Sequence, residues 1–285
     1  MPIPAEVEER LGALRAEWRT GDLSRAAHFF DANVDFRSPR GIVRGWEEIS
    51  KTAGEWLLMR ATAETVSAKP LPDNMALVDS VFETEKGIRN WFTEILHKTD
   101  KDYQIVSFRV RVGTSTASFE GLSKLSPQTV SDAVPVAVQN KEAEALRSNF
   151  KNFRAAFNKG DTKGVVALCT HSCDAIPVFS FLQGRAQILT GQPGIEAKGN
   201  RMFGVDVAQE VSNPNPNRQG AAYLGGEPKV LRFLSGHVAV VDGTAEITNI
   251  PSAHGFAPRE LKGVYSTVWV KTSGNWLAEG ARAWF

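Results

Sequence analysis

Apolar positions recur at helical spacing near the start of the chain, at Val7, Leu11, Leu14 and Trp18. Gly21-Asp22 then supplies a helix stop followed by an N-cap, and Leu23, Ala26, Ala27 and Phe30 form the stripe of a second, short helix. "NVDF" predicts a short strand, "PRG" a turn, and "GWEEISKTAGEWLLM" a third amphipathic helix. After that the period drops to two. "ATAETVSA", "NMALVDSVFETE", "RNWFTEILHK" and "YQIVSFRVRV" alternate and are rich in β-branched and aromatic residues, and "KPLPDN", "KGI" and "TDKD" separate them. Helices followed by a meander of strands make an α+β domain.

The pattern then repeats. "EALRSNFKNFRAAFNKGD" leads to a short helix, a strand near Ala175 and a helix interrupted by Gly191, Pro193 and Gly194. Strands follow in "VLRFLSGHVAVVDGTAEITN", "LKGVYSTVWVKT" and "NWLAEGARAWF". Without a gap, Gly21-Asp22 falls on Gly160-Asp161, Asp35 on Asp174, Gly45 on Gly184 and Ile49 on Ile188, at a constant offset of 139 residues. Near the end of each half the offset becomes 173, placing Lys98-Thr99 on Lys271-Thr272, Tyr103 on Trp276 and Arg109 on Arg282. The identities concentrate at turns and caps, where geometry restricts the choice of residue, which indicates an internal duplication. The expected boundaries are a first domain over 1–125, a linker over 126–140 with room for one extra strand, and a second domain over 141–285. The largest insertion, "SNPNPNRQGAAYLGGEPK", is either a lid or a plain surface loop.

Composition narrows the function. With Lys+Arg 33 against Asp+Glu 32, the formal charge of +1 leaves no electrostatic footprint for nucleic acid, so small and fairly neutral molecules are the expected partners. Neither a signal-peptide run nor a membrane span shows in the hydropathy, and a cytoplasmic location is expected. Cys169, His171 and Cys173 in "CTHSC" offer three soft ligands without a fourth at zinc spacing, so neither a metal nor a disulfide is expected. No G-x-G-x-x-G, P-loop, H-E-x-x-H or G-x-S-x-G motif occurs, which disfavours nucleotide cofactors and a serine nucleophile.

In its order of helix, "GD" corner, helix, strand, "G" turn, helix and a long meander ending "K-T-x-x-x-W", each half resembles the nuclear transport factor 2-like superfamily, including its SnoaL-like group. The resemblance implies two repeated cone-shaped domains, each a curved antiparallel sheet wrapped around three helices and enclosing a deep pocket. It also implies an intramolecular pseudo-dimer packed sheet to sheet, with further homo-oligomerisation left open. Its enzymes are mostly cofactor-independent isomerases, cyclases, dehydratases and epoxide hydrolases, and other members only bind a ligand. The catalytic aspartate of the ketosteroid-isomerase-like pattern precedes a Pro in the strand after the second helix. Here Ser38 stands at that place in the first half, and Pro177 is the aligned residue of the second. The tyrosine seven residues before the "GD" is Leu14 here and Phe153 in the second half.

Other residues must then carry any chemistry. Counting the last hairpin of the first half outward from "TDKD" puts Lys98 opposite Tyr103, Glu94 opposite Ser107 and Phe92 opposite Arg109, so that Glu94 and Arg109 share a face. The same construction around "TSGN" puts Thr267 opposite Gly280 and Tyr265 opposite Arg282. On the functional alternative, Arg282 and Tyr265 hold a developing negative charge. On the structural one, the arginine is an exposed or interface cation paired, in the first half, with Glu94. Asp35 with Asp174, and Asp79 with Asp242, are shared carboxylates that serve either as bases or as caps. His97 has no counterpart, since Val270 occupies its place, and is either an acid/base or a solvated side chain. The function expected is a lyase, dehydratase or isomerase acting on a small cyclic or aromatic substrate. The alternative is a ligand-binding or scaffolding protein of the same fold.

Overall fold

The computed structural model describes residues 5–38, 41–57, 61–84, 89–111, 116–131, 134–176, 189–190, 223–250 and 259–284. It is a mixed α+β architecture with two sheets and few helices, divided into two compact units, Met1–Gly121 and Leu122–Phe285.

In unit 1, helix α1 (Ala5–Thr20) buries Val7, Leu11 and Leu14, the first three positions of the expected stripe. Gly21 takes φ +77°, a left-handed conformation that closes α1, and the Asp22 side chain accepts from the Ser24 backbone N–H at 3.0 Å to start α2 (Leu23–Ala26). One 3₁₀ turn later the chain enters β1 (Phe30–Ser38), a longer strand than "NVDF" alone predicts. Then come β2 (Gly41–Arg44), α3 (Trp46–Leu57), β3 (Ala61–Leu71), β4 (Met75–Thr84), β5 (Arg89–Lys98) and β6 (Tyr103–Arg111). Among the described residues the sheet order is β2-β1-β6-β5-β4-β3, antiparallel throughout except where β1 runs parallel to β6.

Unit 2 repeats the corner. Following α4 (Thr116–Ser123) and β7 (Gln128–Ser131), helix α5 (Val136–Asn158) ends at Gly160, with φ +68°. The Asp161 side chain accepts from the Gly164 backbone N–H at 2.9 Å to open α6 (Thr162–Val166). The stretch 126–140, expected as a linker, thus holds β7, which pairs in parallel with β11 (Pro228–Phe233), and the first turn of α5. The remaining strands are β8 (Cys169–Ile176), β9 (Leu189–Thr190), β10 (Tyr223–Gly225), β12 (Val238–Ile250), β13 (Arg259–Thr272) and β14 (Asn275–Trp284). They form the order β7-β11-β12-β13-β14-β8-β9, with β10 pairing beside β12. The interrupted helix expected beyond Pro177, the aligned Gly184 and Ile188, and most of the Asn/Pro/Gly-rich insertion lie outside the described residues.

A β-bulge corrects the hairpin register. Lys98 does pair with Tyr103, but Val106 is an extra residue in β6, so Leu96 faces Ile105 while Ile95 faces Ser107. Beyond it Glu94 pairs with Phe108, not Ser107, and Arg109 pairs with Thr93, not Phe92. In β14 Glu279 is the extra residue: Thr267 pairs with Ala281, not Gly280, Tyr265 with Ala283, and Arg282 with Ser266. A bulge adds one residue to one strand, and a slip of one residue turns every following side chain to the other face.

Candidate functional site

The helix-packed face of the unit 1 sheet carries Phe36, Val78, Phe82, Phe92, Leu96 and Phe108, packed with Val7, Leu11 and Leu14 of α1. Glu94 shares that face, because it sits opposite Val78 and Phe108 and between Phe92 and Leu96 along its own strand. It is 2% exposed. Ser80 donates to its Oε2 at 3.3 Å, and the Arg15 guanidinium on α1 in turn donates to Ser80 Oγ at 2.8 Å and to Thr65 Oγ1 at 2.9 Å. Burial pushes the Glu94 carboxyl up to about 7, against the opposing pull of Arg15 and the Ser80 hydrogen bond. Trp18, one turn beyond Arg15, meets Phe92 and Phe108 edge-on at 6.0 and 5.9 Å, while Phe82 stacks on Phe92 at 4.1 Å. One carboxyl with a near-neutral pKa is thereby set among aromatic rings.

The opposite face holds a buried polar ladder. Asp79 accepts from Thr93 Oγ1 at 2.7 Å and from Ser67 Oγ at 3.1 Å. Arg109 ion-pairs with Asp35 at 2.5 Å, each side chain 2% exposed. Arg109 therefore pairs with Asp35 and lies across the sheet from Glu94, contrary to the shared face expected. Unit 2 has the same ladder: Ser266 donates to Asp242, and Arg282 ion-pairs with Asp174 at 2.7 Å while also donating to the Asp174 carbonyl at 3.3 Å. Tyr265 and Arg282 are thus on opposite faces. Tyr265 stacks on Phe150 of α5 at 5.3 Å, on the helix side, whereas Arg282 belongs to the ladder. A single oxyanion held between guanidinium and phenol does not fit this geometry. His97, in β5, alternates with Glu94 and falls on the ladder face of unit 1, opposite Met75 and Gln104. Cys169 and Cys173 are buried thiols, and His171 between them is exposed.

The two units carry different residues on their helix-packed faces. Thr267 stands where unit 1 has Glu94, and its Oγ1 accepts from the Trp269 indole at 2.8 Å. Gly243 stands for Ser80, since Gly243 faces Tyr265 as Ser80 faces Phe92. No side chain fits there: a Cβ on Gly243 would lie 2.3 Å from the Tyr265 hydroxyl and 2.5 Å from the Glu227 carbonyl. Arg154 is the counterpart of Arg15, and it donates to the Gly226 carbonyl at 2.7 Å. Arg15 and Ser80 were missed as site residues in the sequence. The signal for Arg15 was present, because "LRAEW" and "FRAAF" align it with Arg154 at the offset of 139.

The chain's neighbours among solved structures are NTF2-like and SnoaL-like proteins of cystatin-like fold. It is similar to an NTF2-like protein of unknown function from Shewanella oneidensis, at 14% identity and TM-score 0.37, over 50% of this chain and 99% of that one. It is similar to an NTF2-like protein with a cystatin-like fold from Novosphingobium aromaticivorans, at 11% identity and TM-score 0.39, over 52% and 84%. A hexachlorocyclohexane dehydrochlorinase, LinA type 2, shows 13% identity and TM-score 0.39, over 52% and 88%. No family profile and no curated protein matches the sequence. No helix among the described residues is long and apolar enough to cross a membrane.

Proposed function

We propose that unit 1 is a cofactor-independent acid/base enzyme, a lyase, dehydratase or isomerase for a small cyclic or aromatic substrate, within a tandem of cone-shaped SnoaL-like domains. Glu94 is its proton-transferring group. One observation carries this: a glutamate buried among phenyl and indole rings and pushed up to about 7. Near neutrality such a carboxyl exists in both forms, which is the condition for efficient general acid–base catalysis. As carboxylate it takes a proton from a substrate carbon, and the electron pair left behind either delocalises into the substrate or expels a leaving group from the neighbouring carbon. As carboxylic acid it returns that proton, to carbon in an isomerase or to the departing oxygen in a dehydratase. Arg15, linked through Ser80, keeps the ionised form accessible, and the half-buried Arg15, Thr65 and Trp18 form the approach to it.

The test is a titration of glutamate side-chain carboxyls by ¹³C NMR in the full chain, with the Glu94 signal assigned by its loss in Glu94→Gln. A midpoint near 7 supports the assignment, while a midpoint in the ordinary carboxylate range near ~4 removes Glu94 as a base at neutral pH. A screen of cyclic and aromatic compounds for turnover abolished by Glu94→Gln then identifies the reaction.

A further inference from the structure

Strands β1 and β8 are shortened at the same point. In β8, Cys169 pairs with Ala278 and Asp174 with Gly280, so residues 170–173 stand against the single residue Glu279. In β1, Phe30 pairs with Ile105 and Asp35 with Ser107, so residues 31–34 stand against Val106. Five residues of extended strand cover about 16 Å, whereas two residues of the partner strand cover no more than about 7 Å. The kink therefore draws the ends of the segment together. Both members of each flanking pair are buried: Phe30 and Val34 in unit 1, Cys169 and Cys173 in unit 2.

Unit 1 fills these two places with hydrocarbon, unit 2 with thiols. Cys169 and Cys173 carry no disulfide, and they are the only cysteines of the chain. Both belong to the buried cluster that holds Leu146 of α5 with Trp269 and Trp276. The Cys173 thiol hydrogen-bonds that of Cys169 and pulls its pKa below the ordinary thiol value, against burial and the Glu279 charge. Along a regular strand, residues four apart are separated by about 13 Å, well beyond the roughly 7 Å between Cα atoms that a disulfide can bridge. The kink removes that obstacle, and Glu279 pins it. Thr170 Oγ1 donates to the Glu279 carboxylate at 2.5 Å, and Ser172 Oγ lies 2.9 and 3.1 Å from its two oxygens. Glu279 is itself the extra residue of β14 and is 5% exposed; its counterpart Val106 offers no such acceptor.

We infer that Cys169 and Cys173 are a reversible oxidation site, which a peroxide converts into an intramolecular disulfide. Cys169 reacts first, being the more exposed of the pair, at 6% against 1%. Its sulfur attacks one oxygen of hydrogen peroxide and the O–O bond breaks. The departing oxygen takes the thiol proton and leaves as water, and Cys169 becomes a sulfenic acid. The Cys173 sulfur then attacks the Cys169 sulfur, the S–O bond breaks, and the departing hydroxide takes the Cys173 proton as a second water. Two thiols give up two electrons and two protons, and the peroxide is reduced to water. Because the second sulfur is already in contact, the sulfenic acid closes to a disulfide before it can be oxidised further. At rest the pair carries no bond, as a site of transient oxidation in a reducing compartment requires. The site does not rest on the function proposed for Glu94.

In the test, the reduced full chain is treated with hydrogen peroxide and digested without reductant for mass spectrometry. The expected product is a single chain whose Cys169–Cys173 segment has lost two hydrogens, regained in full with dithiothreitol. Cysteines this close in sequence can also join in an unfolded chain, so the pair is next equilibrated with reduced and oxidised glutathione, in buffer and in urea. The folded chain should hold the disulfide at about tenfold less oxidised glutathione than the unfolded chain. Thr170→Val combined with Ser172→Ala, which releases the kink from Glu279, should shrink that advantage. A sulfinic acid on one cysteine with the other still a thiol, or a disulfide between two chains, overturns the inference. So does an advantage that is absent from the folded chain or unchanged in the double variant. Should the double variant fail to fold, the wild-type product and its equilibrium decide alone.

Discussion

The two units keep the same polar ladder on one face of the sheet and differ on the other. Asp35–Arg109 with Asp79–Thr93 in unit 1 becomes Asp174–Arg282 with Asp242–Ser266 in unit 2, position for position in its ion pair and hydroxyl contact. Against the helices, Glu94 and Ser80 become Thr267 and Gly243, and bulky rings become alanines. The difference separates two kinds of polar residue that look alike in sequence. Those repeated in both units hold the sheet together. Glu94, a buried carboxyl of unit 1 that Thr267 replaces in unit 2, is the residue proposed above for proton transfer.

The largest effects test the shared half of this comparison. Arg109→Ala and Arg282→Ala each leave a buried carboxylate without its guanidinium, and each should cost about 3–5 kcal/mol in denaturant unfolding. This departs from the functional alternative for Arg282, in which it holds a developing negative charge. If only one of the two variants is destabilised, the ladders are not equivalent. Next in size, Glu94→Gln should lower turnover of any substrate by about a hundredfold or more, while Thr267→Ala leaves it near wild type. Equal losses in both variants would break the assignment of chemistry to unit 1.

A pH effect of similar size is expected in stability. The Glu94 carboxyl rises from an ordinary 4.5 to about 7 on folding. Between those values the native state holds a proton that the unfolded chain has released, so stability falls as pH rises through this window and levels off above it. The loss amounts to about 3 kcal/mol. It should vanish in Glu94→Gln and persist in Thr267→Ala, as measured by urea unfolding at pH 4 and pH 8. The smallest effect sharpens the comparison on the helix side. Arg15→Met removes the charge that favours ionised Glu94 and should move its NMR midpoint further upward, whereas Arg154→Met should leave it in place.

Much of the fold is legible in the sequence. The "GD" corners are legible because a left-handed glycine and a capping aspartate are required by geometry, and β4, β5 and β6 stand out through their alternation. Which residues face the helices is not legible, since Val106 and Glu279 carry no sequence mark of being bulged and each shifts the following residues by one. Glu94 was visible as a candidate, yet its role depends on that phase and on Ser80 and Arg15, which reach it from a strand and a helix far apart in the chain. Arg109 and Arg282 were visible for the same reason, and their partners Asp35 and Asp174 were recognised as repeated pairs, but the bonds between them depend on the parallel pairing of β1 with β6 and β8 with β14.

The bulges give each unit one strand position that can be lost without changing the register. Val106 in β6 and Glu279 in β14 are the residues left without a cross-strand partner, and the pairs beyond each are those of an uninterrupted ladder. Loss of the single codon for Val106 would close the bulge into a regular ladder, with Ile95 still facing Ser107, Glu94 facing Phe108 and Thr93 facing Arg109. A gene library of in-frame deletions should accordingly show these two codons tolerated better than regularly paired strand positions such as Thr93, whose loss turns the following side chains to the other face.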